Sequence, residues 1–267
     1  MLKDITLGQY FPGNSCIHRL DPRTKILSMA AYIAIIFLIK GFVGYGILAV
    51  FTISCVLLSK IPFKFVLKGL KPIMLFIVIT AVFNLFLTSG TVLWKWGFLT
   101  VTYEGVRLAV FMVLRLFFLV FGTSLLTLTT SPIALTDGLE YLLTPFKRMG
   151  VPAHELAMMM TIALRFVPTL LEETEKIIKA QTARGADFES GNIIRRAKAM
   201  IPILIPLFIS AFRRADELAI AMECRCYRGG DGRTRLRELK MHKLDALAAA
   251  AVLMLAALII TANMLWV

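Results

Sequence analysis

Residues 106–128 read VRLAVFMVLRLFFLVFGTSLLTL, and Arg107 and Arg115 are the charged side chains in this run. A helix needs about 20 predominantly apolar residues to cross the hydrocarbon core of a bilayer. The run is therefore predicted to span a membrane. Arg107 lies near one end, where its side chain can reach the interface, whereas Arg115 lies deeper and has Asn84 as a possible neighbour. We assign no functional role to Arg115.

Four other apolar runs surround it, at residues 26–39, 44–58, 72–87 and 244–266. The whole chain is 58% apolar with a mean hydropathy of +0.77, whereas soluble domains are about 45–50% apolar. No small-residue cleavage site closes the first run, so we expect it to remain as a membrane helix. The sequence predicts an all-α polytopic membrane protein with five transmembrane helices.

Basic residues predict the orientation of these helices. Eight Lys and Arg precede the first run or separate the second from the third, against two in the other two loops. Because basic loops remain in the cytoplasm, the N-terminus is predicted to be cytoplasmic and the C-terminus extracytoplasmic. The net charge of +13 is thus assigned to the cytoplasmic face, and no nucleic acid partner is expected.

The segment of residues 129–243 carries eighteen Lys and Arg and is predicted to be cytoplasmic. Three helices are predicted in it, at residues 132–143, 153–183 and 193–224, the first with Ser131 as N-cap. The two long ones are each apolar in one part and charged in the next. Such helices are typical of amphipathic elements on a membrane surface, although internal prolines leave kinked re-entrant helices as an alternative.

Both long helices finish with an arginine between small residues. The first ends in Ala183-Arg184-Gly185 and the second in Cys224-Arg225-Cys226. An arginine flanked in this way can enter a pocket on a partner, because nothing beside it blocks close approach. The alternative is that each arginine meets the negative end of its helix dipole, with Gly185 as terminator. The repeat of the pattern favours docking.

Several motifs are absent from the sequence. There is no Gly-x-x-x-x-Gly-Lys-Ser/Thr run to bind phosphates, so any ATP is expected on another subunit. The predicted spans contain no deep Asp or Glu, which disfavours a self-sufficient ion-coupled carrier. The histidines lie outside the spans, and Cys-x-Cys lacks the spacer of common zinc pairs. We expect no catalytic residue, no metal site and no cofactor in this chain.

The two arginine ends resemble the paired Ala-Arg-Gly signatures of the T component of energy-coupling factor (ECF) transporters. That family of ABC importers includes the membrane subunit of cobalt and nickel importers. The resemblance covers nearly the whole chain and includes HRLDPRTK at residues 18–25, ALRFVP at 163–168 and GGDGR at 229–233. The second signature departs from the pattern, because Cys224 and Cys226 flank its arginine.

The resemblance implies a coupling subunit of the cell membrane that is not itself an enzyme. Arg184 and Arg225 would seat in grooves of two ABC ATPase subunits, which bind the ATP, while other faces hold a small substrate-binding membrane subunit, the S component. Residues 1–128 would contain the N-terminus and four transmembrane helices, residues 129–243 the coupling helices, and residues 244–267 the fifth transmembrane helix.

The implied function is to transmit ATP-driven motion for the uptake of vitamins or other micronutrients. Two alternatives remain open at this stage. One is a subunit dedicated to cobalt or nickel import, which would share these helices and signatures. The other is a membrane scaffold whose basic face gathers anionic lipids, although this function does not explain two matched arginine ends.

Overall fold

The computed structural model describes residues 10–96, 99–188, 192–230 and 239–266. The elements in order are α1 (Pro22–Leu38), α2 (Phe42–Ser59), α3 (Phe63–Lys68), α4 (Met74–Leu87), β1 (Val92–Trp96), β2 (Leu99–Thr102), α5 (Tyr103–Thr129), α6 (Pro132–Leu143), a 3-10 helix (Thr144–Met149), α7 (Ala153–Ala183), α8 (Ile193–Cys224) and α9 (Lys243–Trp266). The described residues are mostly helical, as predicted, and they also form one antiparallel hairpin, β1–β2, which an all-α fold does not contain.

Two compact units divide the chain. The first, which we call the bundle, comprises the described parts of Gly8–Leu139 and Leu239–Val267. The second, which we call the α7–α8 unit, comprises the described part of Glu140–Glu238. Most of the segment predicted to be cytoplasmic falls in the α7–α8 unit.

The five predicted spans each coincide with a helix, but their number is not confirmed. Within the described ranges, four helices are long and apolar enough to cross a membrane: Phe42–Ser59, Tyr103–Thr129, Ala153–Ala183 and Lys243–Leu265. The other two helices predicted to span, α1 with 17 residues and α4 with 14, are shorter. The α7 helix, predicted to lie on the surface, also meets the criterion of length and composition.

The core of the bundle lies where α1, α2, α5 and α9 meet. Its most buried side chains include Ile36, Leu48 and Ile259. Tyr32 adds a polar contact, because its hydroxyl lies 2.9 Å from Oγ1 of Thr52 and donates to the carbonyl of residue 118 at 3.2 Å. Many large apolar side chains of the same helices are exposed, as expected where lipid is the solvent.

The two arginines of α5 lie against aromatic rings. The guanidinium of Arg107 is 5.4 Å from the ring centroid of Phe111, and that of Arg115 is 5.2 Å from the centroid of Phe37. Asn84 donates instead to the Thr80 carbonyl of its own helix. The neighbour of Arg115 is therefore an aromatic ring at cation–π distance.

A buried polar junction joins the N-termini of α1 and α9. Asp21 caps α1 by accepting from the backbone N–H of Arg23, and its own N–H donates to Oδ1 of Asp245 at 2.8 Å. Oδ2 of Asp245 accepts from the N–H of His242 at 2.7 Å. This bond provides an acceptor for a backbone N–H that has no backbone partner within the first turn of α9. The HRLDPRTK motif thus holds two helix starts together.

Lys25 completes this junction. Its Nζ donates to the carbonyls of His18 at 3.2 Å and Thr129 at 3.0 Å. Burial lowers the pKa of Lys25 to about 8, against the opposing influence of Asp245 and Asp21. Through its bond to Thr129, the Lys25 side chain ties α1 to the end of α5.

Candidate functional site

The α7–α8 unit carries both arginine ends that the sequence singled out. The bounds of α7 and α8 coincide with the predicted ranges, and the helices continue through one internal proline in α7 and two in α8. With 31 and 32 residues, and a rise of 1.5 Å per residue, each is about 47 Å long. Each arginine therefore lies at the tip of a long continuous helix.

At the end of α7, Arg184 is the C-cap residue, with φ −87° and ψ 6°. Gly185 follows with φ +85°, in the left-handed region that glycine adopts readily. The N–H of Gly185 donates to the carbonyl of Thr182 at 3.0 Å, and the N–H of Ala186 donates to that of Gln181 at 3.0 Å. These two bonds define a Schellman motif, in which the chain reverses directly after the arginine.

The end of α8 repeats this geometry. Arg225 is the C-cap, with φ −91° and ψ 14°, and Cys226 follows with φ +55°. The N–H of Cys226 donates to the carbonyl of Glu223 at 2.8 Å, and that of Tyr227 donates to Met222 at 3.0 Å. The cysteine thus adopts a conformation usual for glycine, so the two ends share one backbone structure despite their different flanking residues.

Both arginine side chains are exposed, as are the four residues that flank them. Neither guanidinium has a hydrogen-bond or ion-pair partner within the part of the chain that the structure describes. If Arg184 or Arg225 served mainly to satisfy the last carbonyls of its helix, its side chain would bond to them. The backbone motif already supplies donors to two of those carbonyls at each end, and both guanidinium groups are available to a partner.

An ion pair connects α7 with α8 along their length. Nη2 of Arg214 lies 3.1 Å from Oε2 of Glu173. Glu173 thereby helps to hold the two helices together. Such a partly exposed pair contributes modestly to stability, about 0–1 kcal/mol, and it is one contact between the two helices.

Sequence reasoning missed one cluster in this unit. Nδ1 of His154, in the first turn of α7, lies 3.0 Å from Oε1 of Glu140. Its Nε2 lies 3.4 Å from the hydroxyl of Tyr227, the residue that closes the cap of α8. The separations of 14 and 73 residues carry no local signal, so the contact could not be predicted from sequence.

No metal-binding group is found in the described ranges, where no three His, Cys, Asp or Glu side chains lie close enough together to hold an ion. The four cysteines are free, and Cys224 and Cys226 are exposed. Their thiols therefore flank Arg225 at the surface.

Comparison with known proteins gives consistent results. A family model described as cobalt transport protein, CbiQ, matches residues 13–236. A relative from Clostridium kluyveri, named energy-coupling factor transporter transmembrane protein EcfT, is 60% identical and is aligned over 100% of this chain and 99% of its own. Relatives of the same name are 59% identical in Thermosediminibacter oceani (99% and 100% covered) and 47% in Bacillus subtilis (97% and 98%).

Proposed function

This chain belongs to the CbiQ family of cobalt transport proteins and is the transmembrane coupling subunit of an energy-coupling factor transporter, and we propose that Arg184 and Arg225 dock it onto two ATP-hydrolysing partner subunits. The observation that carries the proposal is the match between the two helix ends. Each presents one exposed guanidinium at a Schellman cap, and two equivalent ends suit two equivalent pockets.

The chemistry of docking follows from the arginine side chain. Its planar guanidinium can make two parallel hydrogen bonds to a carboxylate, so we expect an Asp or Glu in each groove. A hydrogen bond to a charged group in a partly dry pocket contributes about 1.5–3 kcal/mol, more than an exposed pair does. Two such contacts give the partners a firm hold on the coupling subunit.

Transmission of motion depends on the stiffness of α7 and α8. A displacement applied at Arg184 or Arg225 is carried along a continuous helix, and the Glu173–Arg214 ion pair couples one helix to the other. Because a packed helix pair moves as a body, ATP-driven motion at the tips shifts the opposite ends of the helices. A separate substrate-binding membrane subunit would use this shift to release its solute, a vitamin or other micronutrient.

Exposed apolar side chains of α7 and α8 provide a surface for that substrate-binding subunit. Met159 and Met160 on α7 and Met200 on α8 are exposed. Methionine adapts to more than one packing arrangement, which suits a partner that changes its tilt during transport. We place these helices at the cytoplasmic face of the cell membrane, with the N-terminus cytoplasmic and the C-terminus extracytoplasmic.

Co-purification tests the docking proposal. The full chain is co-expressed with ABC ATPases encoded in the same genome, as wild type and as Arg184→Glu, Arg225→Glu and the double variant. We expect each single change to weaken ATPase retention by about tenfold or more, and the double change to abolish it. The matched control is Arg213→Glu, which reverses the charge of an exposed arginine within α8. This variant should retain wild-type binding of the ATPases.

Two results would contradict the proposal. Equal retention of the ATPases by wild type and the double variant would remove the arginine ends from docking. Equal loss in Arg213→Glu would show that general basic charge, and not the two ends, binds the partners. In a reconstituted complex, uptake of cobalt or nickel ions instead of organic micronutrients would identify the dedicated metal importer that the family description suggests.

A further inference from the structure

His154 lies between three segments of the α7–α8 unit. It stands in the first turn of α7, and its ring contacts Glu140 at the end of α6 and Tyr227 beyond the end of α8. These are its hydrogen-bond partners in the described part of the chain. The imidazole therefore joins the start of one long helix to the end of the other.

The chain after α8 also passes close over this ring. A Cβ placed on Gly230 would lie 2.5 Å from Cδ2 of His154 and 2.7 Å from Cγ. Any side chain at this position would push the ring or the backbone away. Glycine at 230 thus allows the segment after Arg225 to pack directly on the imidazole.

The two contacts of the ring fit one tautomer of the neutral imidazole. Glu140 accepts as a carboxylate, so Nδ1 of His154 carries the hydrogen that it receives. In the neutral ring, Nε2 is then the acceptor for the hydroxyl of Tyr227, at a long 3.4 Å. Glu140 requires a donor at Nδ1, whereas the hydroxyl of Tyr227 can either donate to Nε2 or accept from it.

Tyr227 is the residue whose N–H donates to the carbonyl of Met222 and completes the cap of Arg225. We propose that His154 is a positioning residue for Arg225: by holding Tyr227 and Gly230 it fixes the reversal after α8, and it links the Arg225 tip mechanically to the start of α7. The inference rests on the proposed docking function. It assigns to the Arg225 end a support that has no contact with Arg184.

The first test uses the full-length chain alone, in detergent, without ATPases. Hydrogen exchange is measured in peptides that cover residues 222–230 for wild type, His154→Leu, His154→Gln and Tyr227→Phe. We expect exchange about three- to tenfold faster in His154→Leu and Tyr227→Phe, as for the loss of a hydrogen bond that holds a turn. His154→Gln, which keeps a donor and an acceptor, should lie closer to wild type.

The second test separates the two docking ends. In an Arg184→Glu background, ATPase retention depends on Arg225, so we expect His154→Leu to reduce it a further three- to tenfold. In an Arg225→Glu background the same change should have no effect. Gly230→Ala displaces the segment after Arg225 from the imidazole ring, so it should also reduce ATPase retention only in the Arg184→Glu background. This second variant keeps the test decisive if His154→Leu fails to fold.

The outcomes of the two tests are distinguishable. Unchanged exchange at residues 222–230 in both His154→Leu and Tyr227→Phe overturns the proposal, whatever the ATPases do. Equal reduction of ATPase retention in the two arginine backgrounds also overturns it, because that result reports a general loss of structure. If neither arginine affects retention, the docking function fails, while the exchange data still decide whether His154 holds the turn.

Discussion

The left-handed residue after each arginine should control how firmly that arginine is held. Gly185 has φ +85°, and a Cβ added there meets no atom within 4 Å. Gly185→Ala therefore introduces backbone strain without a steric clash. An L-residue in the left-handed region costs about 1–2 kcal/mol, which corresponds to about a 5- to 30-fold larger opening equilibrium for the cap.

The second end offers the opposite substitution. Cys226 already occupies the left-handed region, with φ +55°, so Cys226→Gly should relieve strain. Glycine also gains entropy in the unfolded chain, worth about 0.4–1 kcal/mol, which offsets part of the gain. We therefore expect an opening equilibrium about threefold smaller for this cap. Both effects are measurable as hydrogen exchange at the amides of Ala186 and Tyr227, which close the two motifs.

Gly46 provides the control for the alanine substitution. It lies inside α2, and a Cβ there also meets no atom within 4 Å, so Gly46→Ala should leave exchange at both caps unchanged. Equal exchange in wild type and Gly185→Ala would refute the reasoning. Faster exchange in Cys226→Gly would refute it as well, because the sign at the two ends must be opposite.

Two further predictions concern the bundle. Asp245→Ala removes the acceptor for the backbone N–H groups of Asp21 and His242. We therefore expect the free energy of unfolding to fall by about 3 kcal/mol, measured as a lower Tm in detergent. An unchanged Tm would contradict this expectation, because it would show that water replaces the carboxylate. Gly122→Ala places a Cβ 2.5 Å from Cε1 of Tyr32 and should destabilise the contact between α1 and α5 by about 1–3 kcal/mol. Gly46→Ala, the control, should not lower the Tm. Equal Tm values for the two variants would contradict this expectation.

Much of the helical structure could be predicted because its signals are local. The ranges of α6, α7 and α8 coincide with the predicted ones, and Ser131 accepts from the N–H of Ala134 as an N-cap does. The bounds of these helices follow from Pro132 at a first helical position and from a reversal after each arginine. Such features depend on a few neighbouring residues and are visible in the sequence.

The remaining features depend on residues far apart in the chain or on small differences in length. The contact between His154 and Tyr227 and the junction between Asp21 and Asp245 join segments that no short pattern connects. The β1–β2 hairpin has strands of five and four residues, too short to show clear alternation. The predicted number of spans is not confirmed because α1 and α4 are short for a spanning helix, whereas α7 is long and apolar enough to be one.

The Schellman caps also affect how such helix ends are recognised in other sequences. A search for the letters Ala-Arg-Gly finds the first end of this chain and overlooks the second, where cysteine occupies the glycine position. A search that asks for a helix ending in arginine, followed by any residue able to adopt the left-handed conformation, finds both. In this chain two different sets of flanking residues form the same backbone reversal, so the conformation of the residue after the arginine describes such an end better than its three residue types do.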